Sequence, residues 1–227
     1  MARFVVAIDG GAGTGKSTTA KGVARRLNFF YLDTGAMYRA VTLKYLQNSS
    51  RLEPIDMAVI KKIIAETEID LRQEGDQNHV YLDKKDVTLE IRTQAVNRAV
   101  SPVSAVPEVR EWMVAKQREV AEGKNVVCEG RDIGTVVFPD AQVKVFLTAD
   151  LETRAQRRLL ELKTKGIDAD YEDVIENLKF RDRYDSSRTH SPLKKASDAV
   201  VVDTTDLTIE EEISVVEKLV RERLDAG

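Results

Sequence analysis

At 227 residues, 42% hydrophobic and 32% charged, with only 12 Gly and 5 Pro, the chain is neither collagen-like, nor low-complexity, nor generally disordered. The length suits one sizeable α/β domain with insertions and is too short for two large domains plus a linker. Its formal charge of -3, from 35 basic and 38 acidic residues, leaves no overall basic footprint for nucleic acid, so any anion site must be local.

The chain opens on an apolar run, FVVAI at 4–8, that meets Asp and Gly before it could form a signal-peptide core. No apolar stretch nears the roughly 20 residues of a membrane span, so a cytoplasmic protein that engages no membrane is expected. GGAGTGKS follows at 10–17 and satisfies GxxxxGK[ST] between a strand and an amphipathic helix opening near Lys16. Gly10, Gly11, Gly13 and Gly15, with Ala12 and Thr14 between them, let the backbone curl until its N–H groups converge on phosphate oxygens, and the helix N-terminus adds partial positive charge. In such a loop Lys16 bridges β- and γ-phosphates, the Ser17 hydroxyl is offered to Mg²⁺ and Thr18 reaches the α-phosphate. The expected cofactors are therefore ATP and Mg²⁺. A phosphate loop alone does not separate kinases from other NTPases, but no Asn-Lys pair and no DxxG occurs, which disfavours a switch GTPase.

A second strand, FFYL at 29–32, leads into DTGAMYR at 33–39. The stretch 48–124 that follows is far longer than one crossover helix needs and reads as an inserted subdomain. Within it DMAVIKKIIAE (56–66) has helical spacing. EIDLRQ, HVYLD and DVT, broken by EGDQN and DKK, read as a small antiparallel meander, and two further helices are expected at 89–99 and about 108–122. Trp112 and Met113 are expected to pack in the core.

Strands then recur at NVVCE (125–129), VKVFL (143–147) and AVVVD (199–203), and a last helix at 208–224 starts with a Thr208-x-x-Glu211 capping box. Uniformly apolar strands separated by helical segments predict a parallel sheet buried on both faces, hence a three-layer α/β sandwich. The single cysteine, Cys128, reads as a small buried hydrophobe, and His79 and His190 have no zinc-site spacing. Arg39 and Arg131 lie in the loops after the second and third strands, where open α/β sheets bind ligands, and two guanidinium forks there would hold a monophosphate. Arg154, Arg157 and Arg158 share one helical face beside a polar turn at 163–171. RDRYDSSR at 181–188 reads, on its residues alone, as a solvated helix with i,i+4 pairs.

Taken together and in order, GGAGTGKST, DTGAMYR, the IRT-to-SPV stretch at 91–103, PEVR (107–110), EGRDIGTVVFPDA (129–141) and RDRYDSSR resemble the bacterial cytidylate kinases over nearly the whole chain. The resemblance implies a P-loop kinase sandwich with a five-stranded parallel sheet. Its core would span about 1–47, 108–150 and 185–227, with a nucleoside monophosphate-binding insertion at about 48–107 and a lid at about 151–184. It implies direct in-line transfer of the ATP γ-phosphoryl group to CMP or dCMP. Independently of it, the absence of a heptad or an obvious apolar stripe makes a monomer the default, and the acidic balance argues against a nucleic-acid partner. Carried over by position, Arg39, Arg92 and Arg131 surround the CMP phosphate, with Thr34 and Tyr38 lining that pocket. Ser101, Arg110 and Asp132 read the base, Arg181 and Asp185 contact the ribose, and Arg188 faces the ATP phosphates. Arg154, Arg157 and Arg158 become lid arginines that close on the transferred group. Glu129, an acid ending an apolar strand, orders either Mg²⁺ waters or an arginine. Another small-molecule P-loop kinase and a non-catalytic ATP-binding regulator are the alternatives.

Overall fold

A computed structural model describes residues 3–49, 51–74, 77–164 and 166–226. The five expected strands form at β1 (Phe4–Gly10), β2 (Phe30–Asp33), β6 (Asn125–Gly130), β7 (Val143–Thr148) and β8 (Val200–Asp203), in one parallel sheet of order β2-β6-β1-β7-β8 flanked by helices. The chain divides into two compact units, Phe4–Phe29 with Val127–Gly227 and Phe30–Val126 with Met1–Arg3.

In the first of these units β1 pairs with β7 from Val6↔Val143 to Gly10↔Leu147, and β7 with β8 from Val145↔Val200 to Thr148↔Asp203. Val5, Val6, Ala7 and Ile8 are all buried, as a run without polar alternation requires. The expectation of burial on both faces fails at β8, where Val200 and Val201 are exposed and only Val202 is buried, because this strand ends the sheet order. Helix α1 (Lys16–Leu27) packs on α8 (Ile209–Asp225), which buries Ile213, Val216 and Val220 but leaves its first residue, Ile209, exposed. Gly22 permits this contact: a Cβ there would lie 2.3 Å from Ile213 Cδ1. Helices α6 (Leu151–Thr164) and α7 (Tyr171–Ser187) form a hairpin whose apolar seam, Ala155, Val174 and Leu178, closes over Ala12 of the glycine-rich loop. Lys165, in the turn between them, lies outside the described residues.

The second unit begins with α2 (Thr34–Asn48), capped by Asp33, whose carboxylate accepts the Ala36 N–H at 2.9 Å. Asp56 caps α3 (Met57–Glu66) in the same way. The meander is β3 (Ile69–Glu74), β4 (Gln77–Leu82) and β5 (Lys85–Asp86), with Ile69 opposite Leu82 and Leu71 opposite Val80, all four buried. Asp83 and Lys84 both have positive φ, the conformation a two-residue hairpin turn demands. The tip of the first hairpin, Gly75 and Asp76 in EGDQN, lies outside the described residues. The helix expected at 89–99 is instead a 3₁₀ turn at Glu90–Arg92, an extended Thr93, and α4 (Gln94–Ser104). Pro102 lies inside this helix, two residues before its end, followed by the buried Val103 and Ser104. Helix α5 (Pro107–Val120) starts on its proline and buries Val109, Arg110, Met113 and Gln117 as one stripe.

The capping box predicted at Thr208 is present in both directions, with the Glu211 N–H and the Thr208 N–H each finding the other's side chain. Replacing Thr208 by Ala removes it and should lower stability by about 1 kcal/mol, seen as a lower urea midpoint with an unchanged m-value.

Candidate functional site

The glycine-rich loop connects β1 to α1, and Gly15, at φ 89, occupies the cap position of the helix. A Cβ on Gly15 would lie 2.5 Å from Glu212 Oε2, so position and conformation both exclude a side chain. No acidic residue falls in the first turn of α1, leaving its N-terminal charge uncompensated there. Ser17 and Thr18 are exposed on that turn, whereas Lys16 is buried, its ammonium donating to the Gly11 carbonyl and to Thr14 Oγ1 at 3.3 Å. Burial pushes the Lys16 pKa well below the usual value; the positive fields of Arg131 and Arg181 push the same way, and Glu129 and Asp9 only partly restore it. An anion held at Nζ would favour the charged form.

Around this ammonium the same unit gathers most of the residues expected at 129–188. Asp185 is buried and accepts from Arg131 Nε at 2.9 Å and from Arg188 Nη2. Burial alone would raise its pKa, but Arg131, Arg188 and Arg181 together outweigh it and hold the carboxyl below the usual range. Arg188 also lies over the Tyr184 ring. The three arginines expected in a lid, Arg154, Arg157 and Arg158, diverge. Arg154 reaches the loop itself, donating to the Ala12 carbonyl at 3.2 Å and pairing with Asp182 at 2.7 Å. Arg157 donates to Thr204 Oγ1 at 3.0 Å and to the Thr204 carbonyl at 2.7 Å, and pairs with the buried Glu212 at 3.1 Å. Arg158 pairs with its neighbour Glu161 at 2.6 Å.

In the other unit, α2, α4 and α5 bring together the candidate acceptor residues. Thr34 and Ser101 are buried, and the Arg39 Nε donates to Asn97 Oδ1 at 3.4 Å. Arg92, about half exposed, lies 3.5 Å from Asp33. Arg110 is 4% exposed; it stands over the Tyr38 ring at 5.2 Å and donates to the Ser104 carbonyl at 3.3 Å, and Ser104 in turn donates to the Ser101 carbonyl at 3.1 Å. A buried guanidinium on an aromatic face is presented as a planar fork.

Four residues here were not singled out from sequence: Asp9, Asn97, Asp182 and Glu212. Glu212 accepts from Thr19 Oγ1 at 2.8 Å; burial pushes its carboxyl up, against Thr19 and Arg157. Asp9 carried a signal, since an acid at a buried position of an apolar strand needs partners. Its carboxylate accepts the Ile133 and Gly134 N–H groups, each at 2.8 Å. Desolvation by burial still raises its pKa to about 6, against those two bonds, with Asp132 adding to the rise and Lys16 opposing it. The native state thus holds the Asp9 proton more tightly than the unfolded chain. Between about pH 4 and 7, deprotonation of Asp9 should remove roughly 3 kcal/mol of stability. Relative to the parent protein, Asp9→Asn should therefore gain stability as pH rises through this window, as read by urea midpoints at each pH.

Residues 6–223 match the family model for cytidylate kinase. A cytidylate kinase of Caldanaerobacter subterraneus subsp. tengcongensis is 53% identical, over 95% of this chain and 94% of its own, and one of Carboxydothermus hydrogenoformans is 47% identical, over 97% and 98%. The crystal structure of TT1252 from Thermus thermophilus shares the fold at a TM-score of 0.50 and 17% identity, covering 99% of both chains. With the phosphate loop in place and a match along nearly its whole length, the chain belongs to the cytidylate kinase family.

Proposed function

We propose that the protein transfers the γ-phosphoryl group of ATP directly to the 5′-phosphate of CMP or dCMP, giving ADP and CDP or dCDP, and that it does so as a cytoplasmic monomer acting on free nucleotides. The observation that carries the assignment is the buried Lys16 inside a glycine-rich loop, flanked by arginines, in a chain of this family. The acceptor oxygen is already anionic near neutral pH, so no general base is required, and catalysis rests on alignment and charge neutralisation. Gly10 to Thr18 cradle the ATP phosphates, and Lys16 neutralises charge as it moves from the γ-phosphoryl group to ADP. Arg154, already against the loop, and Arg157, Arg158 and Arg188 complete the donor set, and closure of the 151–184 segment excludes water.

Mg²⁺ would be held by Ser17, exposed on a helix turn that carries no acid. Among the described residues no group of three His, Cys, Asp or Glu could hold a metal ion, which suits a cation whose other ligands are phosphate oxygens and water. When bound, the ion would neutralise phosphate charge.

On the acceptor side, the 48–107 segment holds the monophosphate. Arg39, Arg92 and Arg131 bind its phosphate, with Thr34 and Tyr38 beside it, and Arg181 and Asp185 take the ribose. Ser101 and Asp132 accept from the cytosine N4 amino group while Arg110 donates to N3 and O2. Uracil reverses two of these three groups and would leave buried polar atoms unpaired, a far stronger discrimination than a missing methylene gives.

ADP formation measured by a coupled assay against a panel of acceptors tests the assignment: it should depend on CMP or dCMP and be weak with UMP and AMP. A chain that binds ATP but makes no CDP would instead be a non-catalytic binder, and preference for a neutral hydroxyl acceptor would make it another small-molecule kinase. Lys16→Ala should lower turnover at least about a hundredfold while leaving the fold intact. Asp132→Ala should erode the preference for CMP over UMP by about tenfold or more, with less effect on the KM for ATP.

A further inference from the structure

We infer that Asp9 is a positioning residue for acceptor recognition: the two oxygens of its carboxylate fix the backbone of the turn that carries Arg131 and Asp132. The inference rests on the proposed roles of those two residues. Oδ1 accepts the Ile133 N–H and Oδ2 the Gly134 N–H, both at 2.8 Å, so neither oxygen is spare. These amides follow Asp132 directly and open a five-residue π-helical turn, Ile133–Val137, whose leading N–H groups find no acceptor within the turn itself. From the other side the Asp132 carbonyl accepts the Val136 and Val137 N–H groups at 2.9 and 3.2 Å. The Asp132–Ile133 peptide is thereby held through both its N–H and its carbonyl.

The anchor is rigid. Asp9 pairs in register with Phe146 inside the sheet, one residue before the glycine-rich loop begins, so a single side chain ties the strand that launches the phosphate loop to the turn proposed to read the base. The approach is close: a Cβ on Gly134 would stand in van der Waals contact with Asp9 Oδ2 at 3.5 Å and slightly crowd Lys144 Cδ at 3.2 Å.

Only an ionised carboxylate does this. Asn offers one acceptor oxygen, and its amide N–H₂ would face the second backbone N–H, donor against donor. Burial and the like-charged Asp132 disfavour the ionised form, while the two backbone N–H bonds and Lys16 favour it, which leaves the carboxyl ionising at about pH 6.

The test compares Asp9→Asn, Asp132→Asn and the double variant with the parent enzyme, measuring kcat and KM for CMP, UMP and ATP. Asp9→Asn should raise the KM for CMP and lower the CMP-to-UMP ratio of kcat/KM, each by about tenfold, while the KM for ATP stays within about threefold. The double variant should have the same ratio as Asp132→Asn, because both act through one element. A parental CMP-to-UMP ratio in Asp9→Asn, or additive losses in the double variant, overturns the inference. Parent enzyme that ignores CMP, or an Asp132→Asn ratio equal to the parent's, sinks the functional assignment instead. Should Asp9→Asn fail to fold, the parent protein decides by NMR: the Ile133 and Gly134 amide resonances should move together with one shared midpoint, as two donors to one carboxylate must, and two different midpoints, or no response from pH 3 to 8, overturns the proposal.

Discussion

The constraint on which this structure turns is the burial of the Lys16 ammonium among other cations. Removing a charge from water is costly unless something of opposite sign meets it, and Glu129 and Asp9 meet it only in part while Arg131 and Arg181 oppose it. The fold therefore holds a positive centre that an incoming polyphosphate completes. The glycine-rich loop runs into the acid-free first turn of α1, and the apolar seam of the α6–α7 hairpin packs on Ala12 within it. At the buried ammonium each charge interaction counts for more than it would in water.

Much of this was legible because the chemistry is local in sequence. The phosphate loop needs its strand, its glycines and its helix start to be contiguous, so one motif specifies the whole cradle. The five sheet strands and the Thr208 cap were readable for the same reason. Strand burial was misread at β8, where a run as apolar as the others ends the sheet, and in part at β7, where Lys144, Phe146 and Thr148 are only half-buried; sheet order is a tertiary fact that composition does not carry. The 89–99 helix was misplaced at both ends, since a 3₁₀ turn occupies Glu90–Arg92 and α4 runs from Gln94 to Ser104 with Pro102 inside it.

The partners of charged residues were the least legible part. Spacing puts Arg154, Arg157 and Arg158 on one face, and the structure sends them to three destinations: the glycine-rich loop with Asp182, the Thr204–Glu212 region, and a neighbouring Glu161. A face fixes direction to within a wide sector, while a guanidinium on three or four rotatable bonds selects its acceptor within that sector. Asp9 and Asn97 were missed for a related reason. Each answers a residue far along the chain, Asp9 reaching across 124 and 125 positions. Glu129 was noticed as an acid closing an apolar strand, and the same signal stood at Asp9, hidden by the glycine motif that follows it.

Each unit already engages its arginines with its own acceptors, and this bears on how tightly anions can be held. Asp185 takes Arg131 and Arg188, Asp182 takes Arg154, Asp33 lies against Arg92 and Asn97 takes Arg39. The guanidiniums are thereby oriented before substrate arrives, which reduces the conformational entropy lost on binding. Where a phosphate oxygen displaces one of these acceptors, affinity reflects only the difference between two charge-assisted bonds. Where the acceptor stays, as the buried Asp185 would, it steadies the aim of its arginine. An enzyme that must release a nucleoside diphosphate after every transfer benefits from both effects: accurate aim at little entropic cost, and anion binding moderate enough to reverse.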